Sequence, residues 1–269
     1  MTSAGASTTV GPLLREWRTR RRLSQMDLAA DAGVSARHLS FVETGRSRPS
    51  PDVVLQLADR LEVPLRDRNH LLLAAGYAPV YDQRELDDPE MEPVRDALTL
   101  ILDGHDPYPA VVVDRAWEML AANRAVELLA AGVAAHLLEP PVNVLRLSLH
   151  PDGVAPRIAN LGEWRAHLLD RLGRQITLSG DPALETLLEE LRGYPAPEHD
   201  PGPDHPGRDI AVPLRLRSEA GEMAVISTGA TFGTAVEVTD SELSIESFFP
   251  ADRLTAETVR SFVERPPAS

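Results

Sequence analysis

Residues 24–45 read SQMDLAADAGVSARHLSFVETG, and the spacing inside this stretch decides how the first part of the chain folds. Ala29 follows Gln25 by four positions, Gly33 by eight, Leu39 by fourteen and Val42 by seventeen. Ser24 is placed to cap a helix running through Ala30, and Ser35 to cap the next. Gly33 falls in the turn between them, where a left-handed backbone is cheap only for glycine. Ala29 is small where two helices must cross closely. Leu39 and Val42 face inward, and Gly45 ends the second helix. That leaves Ala36, Arg37, Ser40 and Phe41 pointing outward, with Ser35 at the helix start, where a DNA major groove would lie. An ordinary helical hairpin explains the Ala and Gly alone, but not the agreement of the flanking residues.

Working outward, Leu13, Leu14 and Trp17 form an apolar stripe ringed by Arg15, Arg18, Arg20, Arg21 and Arg22. Val53, Val54, Leu57 and Leu61 mark a fourth helix, and Asp67 to Ala75 a fifth. Residues 11–76 therefore form an all-α unit of five short helices. The preceding MTSAGASTTVG is small and polar and reads as a frayed tail, with residues 1–10 outside the domain.

The 269 residues are enough for two domains. The net charge of −14 is unevenly spread. Residues 1–76 carry 11 Arg against 8 acidic residues, so +3, and the remainder carries −17. Phosphate binding needs only a local basic surface, so the acidic total does not argue against it. There are no cysteines, which excludes disulfides, thiolate metal sites and a cysteine nucleophile. No apolar run reaches about 18 residues and no secretory signal is visible, so a cytoplasmic protein with no membrane partner is expected.

Residues 77–93, rich in Pro and Asp, read as a linker, and 94–265 as a second domain. Val94, Leu98, Ile101 and Leu102 mark a helix. Ala110–Asp114 and Trp117–Ala121 are strand candidates around a tight turn, and Asn123 is placed to cap a helix through Leu129. Helical stretches follow at about 143–149, 160–176 and 182–192, then a Pro-rich loop at 195–207. Strands are expected at Ile210–Arg217, Met223–Phe232 and Leu243–Phe248, and a last helix at Ala256–Val263. Two strands, helices and three strands predict an α+β domain, an antiparallel sheet of about five strands with helices on one face.

Residues 11–76 resemble the Xre/434-repressor-type helix-turn-helix family. The resemblance implies that Gln25 touches phosphate, that Ala36, Arg37, Ser40 and Phe41 meet base edges, and that Arg18 pairs with Glu43. The chemistry agrees. A helix N-terminus offers amides to phosphate, Arg37 can bond guanine with two donors, and Phe41 can pack on a thymine methyl. Arg46 and Arg48 sit where backbone contacts orient without specifying. Phe41 departs from the polar residue usual at its position, so packing within the protein or a dimer interface is its alternative role.

The stretches GVSARHLSFVETGRSRPS (33–50), HLLLAAGYAPVY (70–81), PYPAVVVDRAWEMLAAN (107–123) and VNVLRLSLHPDG (142–153) resemble the MmyB-like regulators. That resemblance implies an Xre-type head joined to a PAS-like domain that takes a small hydrophobic, fatty-acid-like ligand. A PAS-like pocket lies between sheet and helices, and Val111, Val113, Trp117, Met119, Trp164, Leu168 and Phe232 are large apolar candidates to line it. Arg146 is the candidate partner for a carboxylate head group. No cofactor is expected beyond such a lipophilic ligand, and the alternative is a dimerisation or protein-interaction module without ligand. A homodimer on a palindromic operator in double-stranded DNA is expected, because one head offers few base contacts.

His199, Asp200, Asp204 and His205 are metal-ligand types in a Pro-Gly loop without fixed spacing, so no metal site is expected. His150-Pro-Asp152 reads as a capped turn. Ser148 and Ser179 lack a Gly-x-Ser-x-Gly elbow, and no phosphate loop or dinucleotide fingerprint is present. No enzyme is expected.

Overall fold

The computed structural model describes residues 9–195, 212–218, 221–232 and 237–265. They form two compact units, the first of residues up to 85 with 177–179 and 237–241, the second of residues 86–176, 180–232 and 242–265.

The first unit holds α1 (Val10–Arg20), α2 (Gln25–Asp31), α3 (Ala36–Glu43), α4 (Pro51–Arg60) and α5 (Leu65–Ala74). Three of these helices open on a serine whose hydroxyl accepts a backbone N–H. Ser24 accepts from Asp27, Ser35 from His38 and Ser50 from Val53. At Ser24 the bond is returned, because the Asp27 carboxylate accepts from the Ser24 N–H, completing a capping box. Gly33 turns the chain between α2 and α3 at φ +60°, the left-handed region that favours glycine. Leu14, Leu28, Leu39, Leu57 and Leu61 are fully buried in one core, with Ala29 among them.

Val10 and Gly11, expected in the tail, are helical and buried instead. Gly11 is where α1 crosses α3. A Cβ there would stand 2.4 Å from the Val42 carbonyl oxygen and 2.8 Å from that of Glu43. Both obstacles are backbone, so α3 keeps its position only while residue 11 has no side chain.

The second unit begins with a 3-10 turn at Pro89–Met91, then α6 (Glu92–Gly104), β1 (Ala110–Val113), β2 (Met119–Ala122), α7 (Val126–Leu129), α8 (Val144–Leu149), α9 (Leu161–Ser179), α10 (Pro182–Gly193), β3 (Leu214–Ser218) and β4 (Gly221–Thr231). A single turn, α11 (Val238–Ser241), is counted with the first unit and precedes β5 (Ser244–Pro250) and α12 (Arg253–Val263) of the second. The five strands form one antiparallel sheet in the order β2-β1-β5-β4-β3. This is the predicted PAS-like α+β domain.

Helices cover both faces of that sheet, not one. Val111 and Val113 of β1 pack into a large cluster with Leu145 of α8, Leu168 of α9 and Leu187 of α10. Ala110 and Val112, on the other face, pack with Leu98 and Leu102 of α6 and with Ile245. All four residues of β1 are buried, and a strand covered on both sides carries an unbroken apolar run.

Two local expectations are corrected. Trp117 belongs to the turn, not the strand, and takes φ +66°. The Asp114 carboxylate shapes that turn by accepting from the Ala116 and Glu118 N–H groups, each at 2.8 Å. Asn123 does not cap a helix. Its carbonyl accepts from Ala110 N–H, and its amide donates to the Tyr108 carbonyl and the Asp106 carboxylate, tying the loop before β1. Its polar neighbours are that loop's unpaired groups, which outcompete a cap. The loop residues 196–207 and Ile210 lie outside the described residues.

Gly11→Ala is expected to destabilise the first unit by about 2 kcal/mol, the usual cost of an overpacked contact. Calorimetric melting of the full chain, with Gly104→Ala as the control, measures it. A Cβ at Gly104 meets nothing within 4 Å.

Candidate DNA-contacting helix and ligand cavity

The outward face of α3 carries Ala36 and Arg37, both exposed, with Ser40 and Phe41 half-buried beside them. The Arg37 guanidinium lies 5.3 Å from the centre of the Phe41 ring. Phe41 is absent from the core of the first unit, so its ring sits on the same face as Arg37. Arg46 is exposed. Arg48 is engaged inside the unit. It donates to the Ala75 and Gly76 carbonyls at 2.9 and 3.0 Å and stacks on Tyr77. It thus closes the C-terminal end of α5, where the last carbonyls lack helical partners.

Beneath α3 the Glu43 side chain is 1% exposed. Arg18 donates to both its oxygens at 2.6 and 2.9 Å, and the Gln25 amide donates to one of them at 2.7 Å. Arg18 also reaches the Leu23 carbonyl. One carboxylate therefore gathers α1, the N-terminus of α2 and the end of α3. Burial pushes the Glu43 carboxyl up, but the bonds from Arg18 and Gln25 and the charges of Arg18 and Arg15 together hold it below the usual carboxylate value. The Gln25 side chain, expected at a phosphate, is committed to this cluster.

In the second unit a cavity of about 100 Å³ lies between the sheet and the helices. Val111, Trp117, Met119, Trp164 and Leu168 all line it, joined by Leu147 and Phe248. Val113 belongs to the surrounding apolar cluster without reaching the cavity. Phe232 packs on the opposite face of the sheet with Leu98 and Leu102. Arg146 lies outside the lining and is paired with Glu190 through three contacts of 2.8–3.1 Å, while the Tyr194 hydroxyl also donates to Glu190 at 2.6 Å.

The charged residues that do line the cavity are Arg171 and Glu246. Arg171 grips both Glu246 oxygens, one through Nη1 at 2.8 Å and the other through Nη2. Its guanidinium lies 4.6 Å from the centre of the Trp117 ring, and the Trp117 indole N–H is held by Gln175. Glu246 is 4% exposed and faces Val111 across the sheet. Gly229 of β4 faces Glu246 in register. A Cβ on Gly229 would stand 2.7 Å from Arg171 Nη2 and 2.8 Å from Glu246 Oε1, so this glycine leaves the room that the ion pair fills. Sequence reasoning missed the pair, although Trp164, Leu168 and Arg171 follow one helical face at i, i+4 and i+7.

Among the described residues His136, His150 and Asp152 bring three candidate ligand atoms within 4.8 Å of one another. His150 Nδ1 already accepts the Asp152 N–H, as in the expected capped turn. His199, Asp200, Asp204 and His205 lie outside the described residues.

Two outcomes follow from these charges. The Glu43 carboxyl has a folded value below its ordinary 4.5, so its stabilisation is complete above that value and is lost as pH falls through the lower folded value. Urea midpoints measured on either side of this window are expected to fall with acid, and less steeply in Glu43→Gln. Glu246→Ala is expected to cost about 2 kcal/mol in chemical unfolding, because it strands a half-buried guanidinium.

Residues 94–261 match the family described as "MmyB-like transcription regulator ligand binding domain". Residues 10–71 match a family described as "Helix-turn-helix domain". No curated protein matches the chain. Among solved structures the chain is similar to one titled "Structure of an RNA-binding Light-Oxygen-Voltage Receptor", at 15% identity and a TM-score of 0.24, with 95% of this chain and 62% of that chain covered. The chain thus spans less than two thirds of that receptor. No helix among the described residues is long and apolar enough to cross a membrane. The chain carries a helix-turn-helix domain ahead of an MmyB-like ligand-binding domain and belongs to the family of MmyB-like transcription regulators.

Proposed function

We propose that this regulator reads its operator through α3 as a homodimer on a palindromic site, and answers to a small hydrophobic ligand held in the cavity of the PAS-like domain. Arg37 supports the first half of that reading. It is exposed on a capped helix whose opposite side is anchored by Glu43. Its fork of donors suits guanine O6 and N7, and Phe41 and Ala36 beside it suit a thymine methyl. Ser35 and Ser40 flank that face, and Arg46 supplies a backbone contact that orients without specifying.

The cavity carries the second half. A well-packed core holds few voids larger than a water molecule, and this one is lined almost wholly by apolar and aromatic side chains. A cavity of roughly 150 Å³ accepts a benzene-sized guest, and this one, at about 100 Å³, is a smaller space of the same apolar kind. A ligand bound here acts on DNA affinity only through a difference in its affinity for two conformations. If the domain served only as a dimerisation module, its interior would need no such space.

Gel-shift titration on the chain's own upstream region, at two salt concentrations, tests the DNA-binding mode. Arg37→Ala is expected to weaken binding by about 1–3 kcal/mol and to relax base preference at one position. Arg46→Ala is expected to weaken all sequences alike and to flatten the salt slope by about one phosphate contact. Full affinity and base preference in Arg37→Ala would remove α3 from the reading.

A further inference from the structure

We propose that a second site, the cleft between the end of α7, β3 and α12, binds a compact polyanion: a diphosphate-type group on a small soluble molecule. The cleft measures about 1060 Å³, comparable with the largest clefts that take a whole small molecule, roughly 1,000 Å³. It is separate from the apolar cavity. Val126, Leu129 and Ala130 line the cavity, while Leu128 and Ala131 of the same stretch line the cleft.

Its charges are unbalanced. Arg157, Arg217 and Arg265 line it against one acidic residue, Glu257. Glu257 accepts from Arg253, one turn earlier on α12, at 2.6 Å, so its charge is already answered. Among the described residues no carboxylate pairs with the three lining arginines.

Arg157 is the half-buried member of the three. Its bonds go to backbone carbonyls, those of Ala131 at 2.6 Å, Leu129 at 3.1 Å, and Leu128 and Arg217 at 3.4 Å. These carbonyls occupy N–H donors but carry no full charge to neutralise the guanidinium. Burial lowers its pKa from the ordinary guanidinium value, and no carboxylate raises it again. A guanidinium stays protonated at neutral pH all the same, and a desolvated cation without a counter-ion is costly. A bound anion removes that cost.

The rest of the lining suits a phosphate. Arg217 and Arg265 are exposed, and each presents a planar fork that grips phosphate oxygens in pairs. Thr258 and Ser261, on one face of α12, bring hydroxyls to the same cleft. Behind them Arg124 donates to the Val263 and Arg265 carbonyls and lies 5.9 Å from the centre of the Phe262 ring, which adds a fourth positive charge.

The occupant is small because the surroundings are acidic. Residues 77–269 carry −17, so an extended polyanion, whether a DNA backbone or an anionic membrane, meets repulsion outside the cleft. A compact anion inside it feels the adjacent arginines, because charges beyond about 10 Å are screened at ordinary salt.

The test is calorimetric titration of the full chain with inorganic pyrophosphate, sodium chloride holding the ionic strength constant. One pyrophosphate per chain is expected to bind at the cleft with a Kd below about 1 mM. Arg217→Ala/Arg265→Ala, checked for folding by circular dichroism, is expected to weaken it at least about ten-fold. Arg37→Ala/Arg46→Ala is expected to leave it unchanged, which separates the cleft from the exposed arginines of the first unit. No saturation by about 10 mM pyrophosphate, equal affinity in the cleft variant, or a loss confined to the Arg37/Arg46 variant would each overturn the proposal. If the cleft double variant does not fold, each single substitution decides by the same comparison. Two further arms separate the sources of phosphate. Vesicles of phosphatidylglycerol are expected to leave the chain in the supernatant, and gel-shift affinity is expected to be the same in the cleft variant. Sedimentation with vesicles that the cleft variant abolishes would assign the site to a lipid headgroup. A gel-shift loss in that variant, equal for all sequences, would assign it to the DNA backbone. Either result overturns the soluble ligand.

Discussion

Glu43 is the anionic anchor beneath α3. A carboxylate with 1% of its side chain exposed must be met by donors, because an unpaired buried charge is too costly to keep. Arg18 and Gln25 meet it from two other helices. The direction of α3 follows from that cluster, from the Ser35 cap and from the close approach of Gly11. The second unit obeys the same constraint. There Glu246 is the buried carboxylate, Arg171 its partner, and Gly229 the residue whose missing side chain makes room. In both units a buried carboxylate and its arginine tie together elements that are distant in sequence.

The cavity has a topological origin. The order β2-β1-β5-β4-β3 puts β1 and β5, the first and last strands, side by side at the centre. β1 is covered on both faces, with α6 on one side and α8, α9 and α10 on the other. The second layer does not close completely on the sheet, and the space that remains lies over Val111 and Glu246.

Much of this was legible in the residues, and the failures have physical reasons. Ser24, Ser35 and Gly33 announced their roles because capping and left-handed turns are local chemistry. The strands were found because their apolar content is high, with ends displaced by a few residues. The two-sided burial of β1 was written in Ala110–Val113, whose apolar run shows no alternation. Phe232 was misplaced by parity. Met223 and Val225 belong to the cavity-side cluster and Ser227 lines the cavity, so an even-numbered residue on that register faces the other way. Arg146 lies between the buried Leu145 and Leu147 and faces away from them, toward Glu190. The Arg171–Glu246 pair joins residues 75 positions apart, and no local pattern in a single sequence reports a partner at that distance. Arg48 follows α3 in the loop expected to meet the DNA backbone, while its bonds to the Ala75 and Gly76 carbonyls depend on tertiary packing that no local pattern reports.

The claim on which the account turns is that the space over Val111 and Glu246 holds a molecule in the working protein. Native mass spectrometry of the full chain, purified from its own cells, measures this directly, with Ala130→Trp as a variant that fills the lining. The account predicts a non-covalent apolar adduct that is present in the wild type and lost from the filled variant. A wild-type chain that carries no adduct, or an adduct that survives in Ala130→Trp, would contradict it.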